Sequence, residues 1–344
     1  MPARAASSGG PPIVVDKFGG SVLRRPDDIA AAVEVVAGQQ ASGLRPVVVV
    51  SAFEGVTDAI LASASVLLPD AGAGLRDPRQ DAASPLARET DRALATGEAL
   101  SAALFALGLQ ARGLPARSFT GAEAGIRTAA AHLGAEVRRV APRQLRAALA
   151  EGLVPVVAGF QGIGSHGELT TLGRGGTDLS AVVLAAALRA DRCELFKDTG
   201  GIMEADPHLV PAARFLPVVD AVQLELLAEL GAEVVHPVAV RRARRGRVRL
   251  VVRALDSSQP MTEVQPRTVR NAPPAGLMLA VARRDRIARI SLVGPAASTP
   301  ELLPIPAHGA GSFYESGMRV VWAEVPVEQA GAAAQAVHAS LMAG

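Results

Sequence analysis

Short runs of β-branched residues, apolar on both faces and alternating with Ala- and Leu-rich stretches, constrain this 344-residue chain more than any other feature. Strand candidates fall at 13–15, 46–50, 154–158, 193–196 and 248–252, all but CELF (193–196) rich in valine or isoleucine, with helix-like segments such as PDDIAAAVEVVAGQQ (26–40) and LSAVVLAAALRA (179–190) between them. The first helical segment opens on Pro26, Asp27 and Asp28, residue types favoured at the positive end of a helix. A strand without a polar face must be covered on both sides. The pattern therefore predicts an α/β fold, a mostly parallel central sheet sandwiched by helices. Ligands of such sheets bind beyond the carboxyl ends of the strands.

The residues that close each run are therefore informative. Lys17-Phe18-Gly19-Gly20-Ser21 closes the first, and Ser51-Ala52-Phe53-Glu54-Gly55-Val56-Thr57 the second. Gly159-Phe160-Gln161-Gly162 closes the third and Lys197-Asp198-Thr199-Gly200-Gly201 the fourth. Glycines, hydroxyls and a few charges recur at these strand ends. An ammonium joined at once to two glycines and a serine suits an anion, because bare amides and a cation converge there. A lysine that only snorkelled from a strand end would not need the glycines.

The densest segment is GELTTLGRGGTDLSAVVLAAAL (167–188). Arg174 stands among glycines, where it can grip a carboxylate with two parallel bonds, and Thr177 and Asp178 precede a long apolar helix whose start favours negative charge. Either of those two residues is also expected to cap the helix. Glu98 opens another helical stretch, where a first-turn acid is unremarkable taken alone.

Other features exclude functions. The formal net charge of +2 gives no basic surface for nucleic acid, and the basic bunch at 241–249 reads as the solvated end of a helix running into a strand. The single cysteine, Cys193, reads as a buried small hydrophobe and precludes an internal disulfide or a cysteine metal cluster. Six scattered histidines lack metal-ligand spacing, so no protein metal site is expected, and His236 reads as structural. No apolar run of membrane-spanning length escapes interruption by a charge, Gly or Pro, and residues 1–12 read as a disordered tail without a signal core. The expected location is the cytoplasm. There is neither a GxxxxGK[ST] nor a GxGxxG after a strand.

Composition divides the chain into a main domain (13–255), a Pro- and Ser-rich linker (256–275) and an α+β appendage (276–344). An exposed loop is expected near 69–85. Within the appendage GLMLAVAR, IARISLVG and MRVVWAEV read as strands and VEQAGAAAQAVHASLM as a closing helix.

In their order, KFGGSVL, VVVVSAFEGVTD, TGEALSAALFALGLQARG, SFTGAEAGIRT, VPVVAGFQGIGSHGELTTLGRGGTDLSAVVLAAAL, DTGGIMEADPHLVPAARFL and LGAEVVHPVAV make the chain similar to aspartate kinases of the amino acid kinase superfamily. The resemblance covers roughly residues 13–253. It implies ATP- and Mg2+-dependent phosphorylation of the L-aspartate side chain to 4-phospho-L-aspartate, at the head of lysine, methionine and threonine synthesis. Carried over residue by residue, Lys17 and Asp178 are catalytic, Lys17 neutralising the phosphoryl group in flight. Ser51, Ala52, Thr57, Glu98, Phe160, Arg174 and Thr177 surround the substrate, with Glu98 accepting from its ammonium. Lys17, Gly19, Gly20, Ser21, Lys197, Asp198, Gly201, Asp206 and Pro207 serve the nucleotide. A kinase for another acidic amino acid, or a silent amino-acid-binding paralogue, would share this fold.

Three departures from the family pattern matter. The loop after Gly20 reads Ser21-Val22-Leu23 where many relatives carry an extra hydroxyl. Glu233 stands where a lysine is common, while Lys197 occupies a position that is often threonine. The appendage has room for about one regulatory ACT module where two are usual, and AASTPELLPIPAHGAGSFYESG replaces its first helix. A single degenerate ACT-like domain with weak or absent inhibition by lysine and threonine is expected, its apolar strands serving a homodimer. The second departure gives a test. If Lys197 supplies the charge missing at 233, Lys197→Ala raises the KM for ATP about tenfold, ~1.4 kcal/mol. An unchanged KM in a coupled assay refutes that role.

Overall fold

The computed structural model describes residues 10–67, 84–232, 234–265, 277–295, 298–301 and 303–342. Most of the tail, most of the 69–85 loop, the second half of the expected linker and Glu233 lie outside them. The chain forms two compact units, Met1–Cys193 and Glu194–Gly344.

The first unit runs β1 (Ile13–Phe18), α1 (Ile29–Ala41), β2 (Arg45–Val50), α2 (Val56–Leu67), α3 (Pro85–Ala111), β3 (Ala116–Phe119), β4 (Ile126–Thr128), β5 (Val137–Val140), α4 (Arg143–Ala150), β6 (Val154–Ala158), β7 (Gln161–Ile163), β8 (Leu169–Thr171), α5 (Gly176–Leu188) and the start of β9 (Arg192–Phe196). Strands β1, β2, β6 and β3 lie side by side in that order, all parallel. The expected parallel sheet is present. Val14, Val15 and Val47–Val50 are wholly buried, each such side chain contributing roughly 1.5–3 kcal/mol by leaving water.

Register decides where the strands stop. Phe18 is opposite Val50, and Val50 opposite Ala158, so β1, β2 and β6 end level. Their following residues, including Ser51 and Gly159, start from one rim. Pro26–Asp28 form a 3-10 turn before α1, and the Asp28 carboxylate accepts from the backbone N–H groups of Arg24 and Arg25. Helix α3 buries Ala87, Asp91, Leu94, Glu98, Ala102, Phe105 and Leu109, a stripe at helical spacing, and Phe105 stacks on Phe18 at 5.4 Å. A second sheet, in the order β5-β4-β7-β8, was not legible, because its short strands read as loop punctuation around Gly162 and Gly167.

The second unit contains the end of β9, then β10 (Ile202–Met203), β11 (Phe215–Leu216), β12 (Val218–Asp220), α6 (Ala221–Glu229), α7 (Pro237–Gly246), β13 (Leu250–Arg253), β14 (Thr262–Gln265), β15 (Met278–Arg284), β16 (Ile287–Pro295), β17 (Gly309–Glu315), β18 (Met318–Pro326) and α8 (Ala330–Met342). Strand β14 occupies part of the expected linker. It lies between β12 and β13, with Thr262 and Val264 buried on one face. The alternation in TEVQ was outweighed by the prolines and serines around it. Strands β15-β16-β18-β17 make an antiparallel sheet, with α8 packed on it through Ala330, Ala333, Ala334 and Val337. The appendage is thus the expected small α+β module, ACT-like in outline. Its edge strand β17 was not foreseen, because it is mostly exposed and begins with four small residues. The basic run is paired rather than simply solvated. Arg241 and Arg244 of α7 both reach Glu225 of α6, at 2.6 and 3.0 Å, and Arg241 also pairs with Glu229.

Close approach rather than turn geometry fixes Gly159. A Cβ there would fall 2.5 Å from the Thr177 methyl and 3.0 Å from the Val50 carbonyl oxygen, so α5 can start against the end of β6 only if 159 has no side chain. Gly159→Ala is expected to cost about 1–3 kcal/mol in urea unfolding. Gly38, inside α1 with nothing within 4 Å of its would-be Cβ, supplies the contrast. Gly38→Ala is expected to stabilise by roughly 0.5–1 kcal/mol.

Candidate active site

The rim at the ends of β1, β2 and β6 collects most of the candidate side chains. Lys17 sits on β1 itself, since the strand continues to Phe18, and its Nζ lies 2.7 Å from Asp178 Oδ1. Both side chains are only 7% exposed. Asp178 belongs to the first turn of α5 and does not cap it. That corrects the expectation for Asp178 and Thr177 alike: the cap position is Gly175, in the left-handed region at φ 71°, and no side chain caps the helix. With a glycine in the cap position, Asp178 is available to Lys17.

Gly19 completes this corner. A Cβ on it would lie 2.5 Å from Lys17 Nζ, so any other residue would crowd the ammonium. The chain then turns, with Val22 and Leu23 donating to the Gly19 carbonyl, and Gly20 backs on the carbonyl of Ala52. Ser21 is exposed on that turn.

Ser51, partly exposed, donates its N–H to the Phe18 carbonyl at 3.1 Å. Ala52, buried, donates its N–H to Glu98 Oε1 at 3.0 Å. Helix α3 comes this close because Gly97 faces Ala52, where a Cβ would be 2.8 Å from the Ala52 methyl. Glu98 is 4% exposed, and its other oxygen, Oε2, has no hydrogen-bond partner among the described residues. Burial pushes the Glu98 carboxyl up to about 7, against a smaller lowering by the Ala52 N–H. Such a group can accept from a cation that enters the site. Thr57 lies in the first turn of α2, partly exposed.

Phe160 takes a positive φ of 65°, its N–H donating to Ser180 Oγ at 3.0 Å and its carbonyl accepting from Leu172. Thr177 is buried against Gly159. Arg174 is exposed on the loop between β8 and α5, flanked by Gly173 and Gly175 with φ of 74° and 71°. A left-handed position on either side turns the chain sharply and holds the guanidinium out on a short arm.

Sequence reading missed a buried network that supports this arrangement. Asp91, two turns before Glu98 on α3, accepts from Thr171 Oγ1 at 2.5 Å and from the Leu133 N–H at 3.1 Å. His132 Nδ1 lies 2.7 Å from its other oxygen. Burial drives the Asp91 carboxyl upward, against the lowering by these donors. Thr171 ends β8, three residues before Arg174, so α3 anchors both Glu98 and the strand that leads into the arginine loop. Asp91 falls on the apolar stripe of α3, where its charge was the one available signal.

The remaining candidates belong to the second unit. Lys197, Asp198, Gly201, Asp206 and Pro207 line a cavity of about 730 Å3 together with Met203, Leu227 and Val252. Gly201 is left-handed, at φ 94°, and packs on Phe215 and Thr262. The Thr262 hydroxyl accepts from the Ile202 N–H at 2.7 Å and donates to the Leu216 carbonyl at 2.6 Å. Asp206 Oδ1 accepts from the His208 N–H. Residues Met278–Arg283 of β15 also line this cavity, and nothing in the sequence distinguished them from an ordinary buried strand.

Residues 12–254 match the family model described as the Amino acid kinase family. The aspartokinase of Thermus thermophilus is 40% identical over 253 residues, covering 74% of this chain and 59% of the relative. That of Mycolicibacterium smegmatis is 39% identical, covering 82% and 64%. The Mycobacterium tuberculosis aspartokinase is 37% identical, covering 88% and 67%. The chain thus spans about three fifths to two thirds of the length of these relatives. Among solved structures, the aspartate kinase from Synechocystis is 33% identical, with a TM-score of 0.63 over 96% of this chain and 55% of that one. E. coli aspartokinase III in complex with aspartate and ADP, at 21% identity and a TM-score of 0.77, shares the fold over 96% of this chain and all of its own.

The buried carboxyl of Glu98 carries its own test. Its pKa rises from an ordinary 4.5 to about 7, so folding takes up a proton between those values. The stability it lends is complete below the unfolded value and is lost as pH rises through about 7. Glu98→Gln removes that dependence. Its stability relative to the parent is expected to improve by about 2–3 kcal/mol between pH 5 and pH 8 in the absence of ligands. A pH-independent difference in urea unfolding refutes the assignment.

Proposed function

The chain belongs to the amino acid kinase family, and from that premise we propose that it is an aspartate kinase, transferring the γ-phosphoryl group of ATP to the side-chain carboxylate of L-aspartate. The observation that carries the proposal is the pairing of two unlike groups on one rim: the buried Lys17–Asp178 ion pair and the half-satisfied carboxylate of Glu98. An acceptor that is both an amine and a dicarboxylate fits such a rim. Glu98 takes the ammonium on Oε2, while Ala52 N–H keeps Oε1 in place. Arg174 clamps a carboxylate from its exposed loop, with Ser51, Thr57, Phe160 and Thr177 shaping the acceptor side.

The chemistry asks little more of the protein. The acceptor carboxylate is already deprotonated, so one of its oxygens bonds to phosphorus as the bond to the departing ADP oxygen breaks. The electron pair leaves with ADP and no proton moves, so no general base is required. What must be overcome is repulsion between anions, ~4 kcal/mol per unit-charge pair at 4 Å in a partly desolvated site. Lys17 supplies the compensating charge, and Asp178 fixes its direction. Gly19 and Gly20 let the chain come close to phosphate oxygens, and the space around Lys17 Nζ that a Cβ would fill supports that fit.

In the second unit the cavity bordered by Lys197, Asp198, Gly201, Asp206 and Pro207 is assigned to the nucleotide. Its mix of an ammonium, carboxylates and apolar walls suits a base and a charged tail. Mg2+ would supply further charge neutralisation on the phosphates. Such an ion would be held chiefly through nucleotide oxygens.

Trapping the acyl phosphate with hydroxylamine tests the proposal. Incubated with ATP and Mg2+, the protein is expected to give hydroxamate from L-aspartate and far less from L-glutamate. Hydroxamate from another acid alone would move the substrate within the family, and none from any acid would refute kinase activity. Arg174→Ala is expected to raise the KM for aspartate at least tenfold, ~1.4 kcal/mol.

A further inference from the structure

The cavity of the second unit has a wall that the strand-end motifs did not predict. Met278–Arg283 of β15 line it, the Leu279 N–H donates to the Glu204 carbonyl at 2.7 Å, and Gly231 packs directly against Ala282. On its rim Ala205–Leu209 form a short loop, in which the Asp206 carbonyl accepts from Leu209 and Val210 and its side chain from the His208 N–H. Both ends of that loop are gripped by α8. Gln335 Nε2 donates to the Leu209 carbonyl at 2.9 Å, and His338 Nε2 lies 3.2 Å from Glu204 Oε2. Residues three apart share a helix face, so one side of α8 holds both anchors.

These contacts are more than the helix needs to dock. Its apolar face, Ala330, Ala334 and Val337, already packs on β16 and β18. Gln335 and His338 reach past that face to the two residues that bracket Asp206, Pro207 and His208. Glu204 is itself clamped, its buried carboxylate receiving Arg214 Nε at 3.0 Å and Nη2 at 2.7 Å. Burial raises that carboxyl, but the bonds from Arg214 and His338 outweigh it and hold it below its ordinary value, so it accepts from His338 as a carboxylate.

We infer that Gln335 and His338 are positioning residues for nucleotide binding: α8 of the C-terminal module fixes the 204–209 loop, which together with β15 forms the wall of the nucleotide cavity. The module is then part of the working site and not a detachable appendage. This rests on the reading of that cavity as the nucleotide site.

The test uses the full chain and MgADP titrated calorimetrically, with steady-state kinetics alongside. Gln335→Ala and His338→Ala are each expected to raise the dissociation constant for MgADP about three- to tenfold, the range for one lost hydrogen bond. The KM for ATP should rise in parallel while the KM for aspartate stays within twofold. His338→Gln, whose amide nitrogen can reach the Nε2 position, should restore binding to within twofold of the parent. Parent and variants binding MgADP equally well would overturn the inference and leave the cavity reading standing. A rise in both Michaelis constants with no rescue by His338→Gln would also overturn it, since a general loss of folding gives that result. A parent that binds no MgADP would refute the cavity reading itself and this inference with it.

Discussion

Everything on the first unit's rim depends on the ion pair between Lys17 and Asp178. Two charges removed from water are expensive, and a pair of well-packed apolar side chains would serve stability as well or better. Here both partners are almost fully buried at 2.7 Å, the geometry at which mutual attraction offsets desolvation. Such a pair serves direction rather than stability. Asp178 draws the ammonium to the start of α5, which is also where a helix favours negative charge, so under the proposed function carboxylate and incoming anion would compete for one cation.

That arrangement requires three elements to stop together, and backbone register does this. Phe18, Val50 and Ala158 sit in one row across β1, β2 and β6, so Lys17, Ser51 and Gly159 fall within a residue of the same edge. Helix α3 then supplies the side opposite α5. One face of it presents Glu98 to Ala52 and Asp91 to Leu133 and Thr171. The two acids share a helix face but differ in satisfaction. Asp91 has a donor for each oxygen, while Glu98 keeps one oxygen unpartnered. Asp91 is thereby a structural tie, while Glu98 keeps an oxygen free for the ligand role proposed for it, a distinction that burial alone would not give.

The strands carrying the rim were legible because each is a run of β-branched residues closed by glycine, and no helix could use that pattern. Lys17, Glu98 and Asp178 were legible through motif resemblance, but their mutual geometry was not. Thr177 and Asp178 read equally well as helix caps until Gly175 proved to hold that position. Asp91, His132 and Thr171 were invisible because their partners lie about 40 and 80 residues away, and a charge on an apolar stripe says nothing of what satisfies it. Strand β14 was hidden by the composition of its neighbours, and β17 by its exposure. In each case tertiary pairing decided what local sequence left open.

The C-terminal module shows the same limit from the other side. Composition marks it off as separate, since a Pro-rich stretch precedes it and the pattern changes after 276. Packing does not follow that boundary: 194–265 and the module form one compact unit, joined through Leu279 and Glu204 and through Gly231 and Ala282. Between β16 and β17 no helix occurs among the described residues, so the outline is ACT-like but simplified. The two elements that reach the cavity and its loop are β15, buried there at Met278–Ala280, and α8, whose His338 is buried and whose Gln335 is exposed. If the cavity holds the nucleotide as proposed, these contacts make the module a buttress for its wall, because β15 lines it and α8 ties down the loop on its rim.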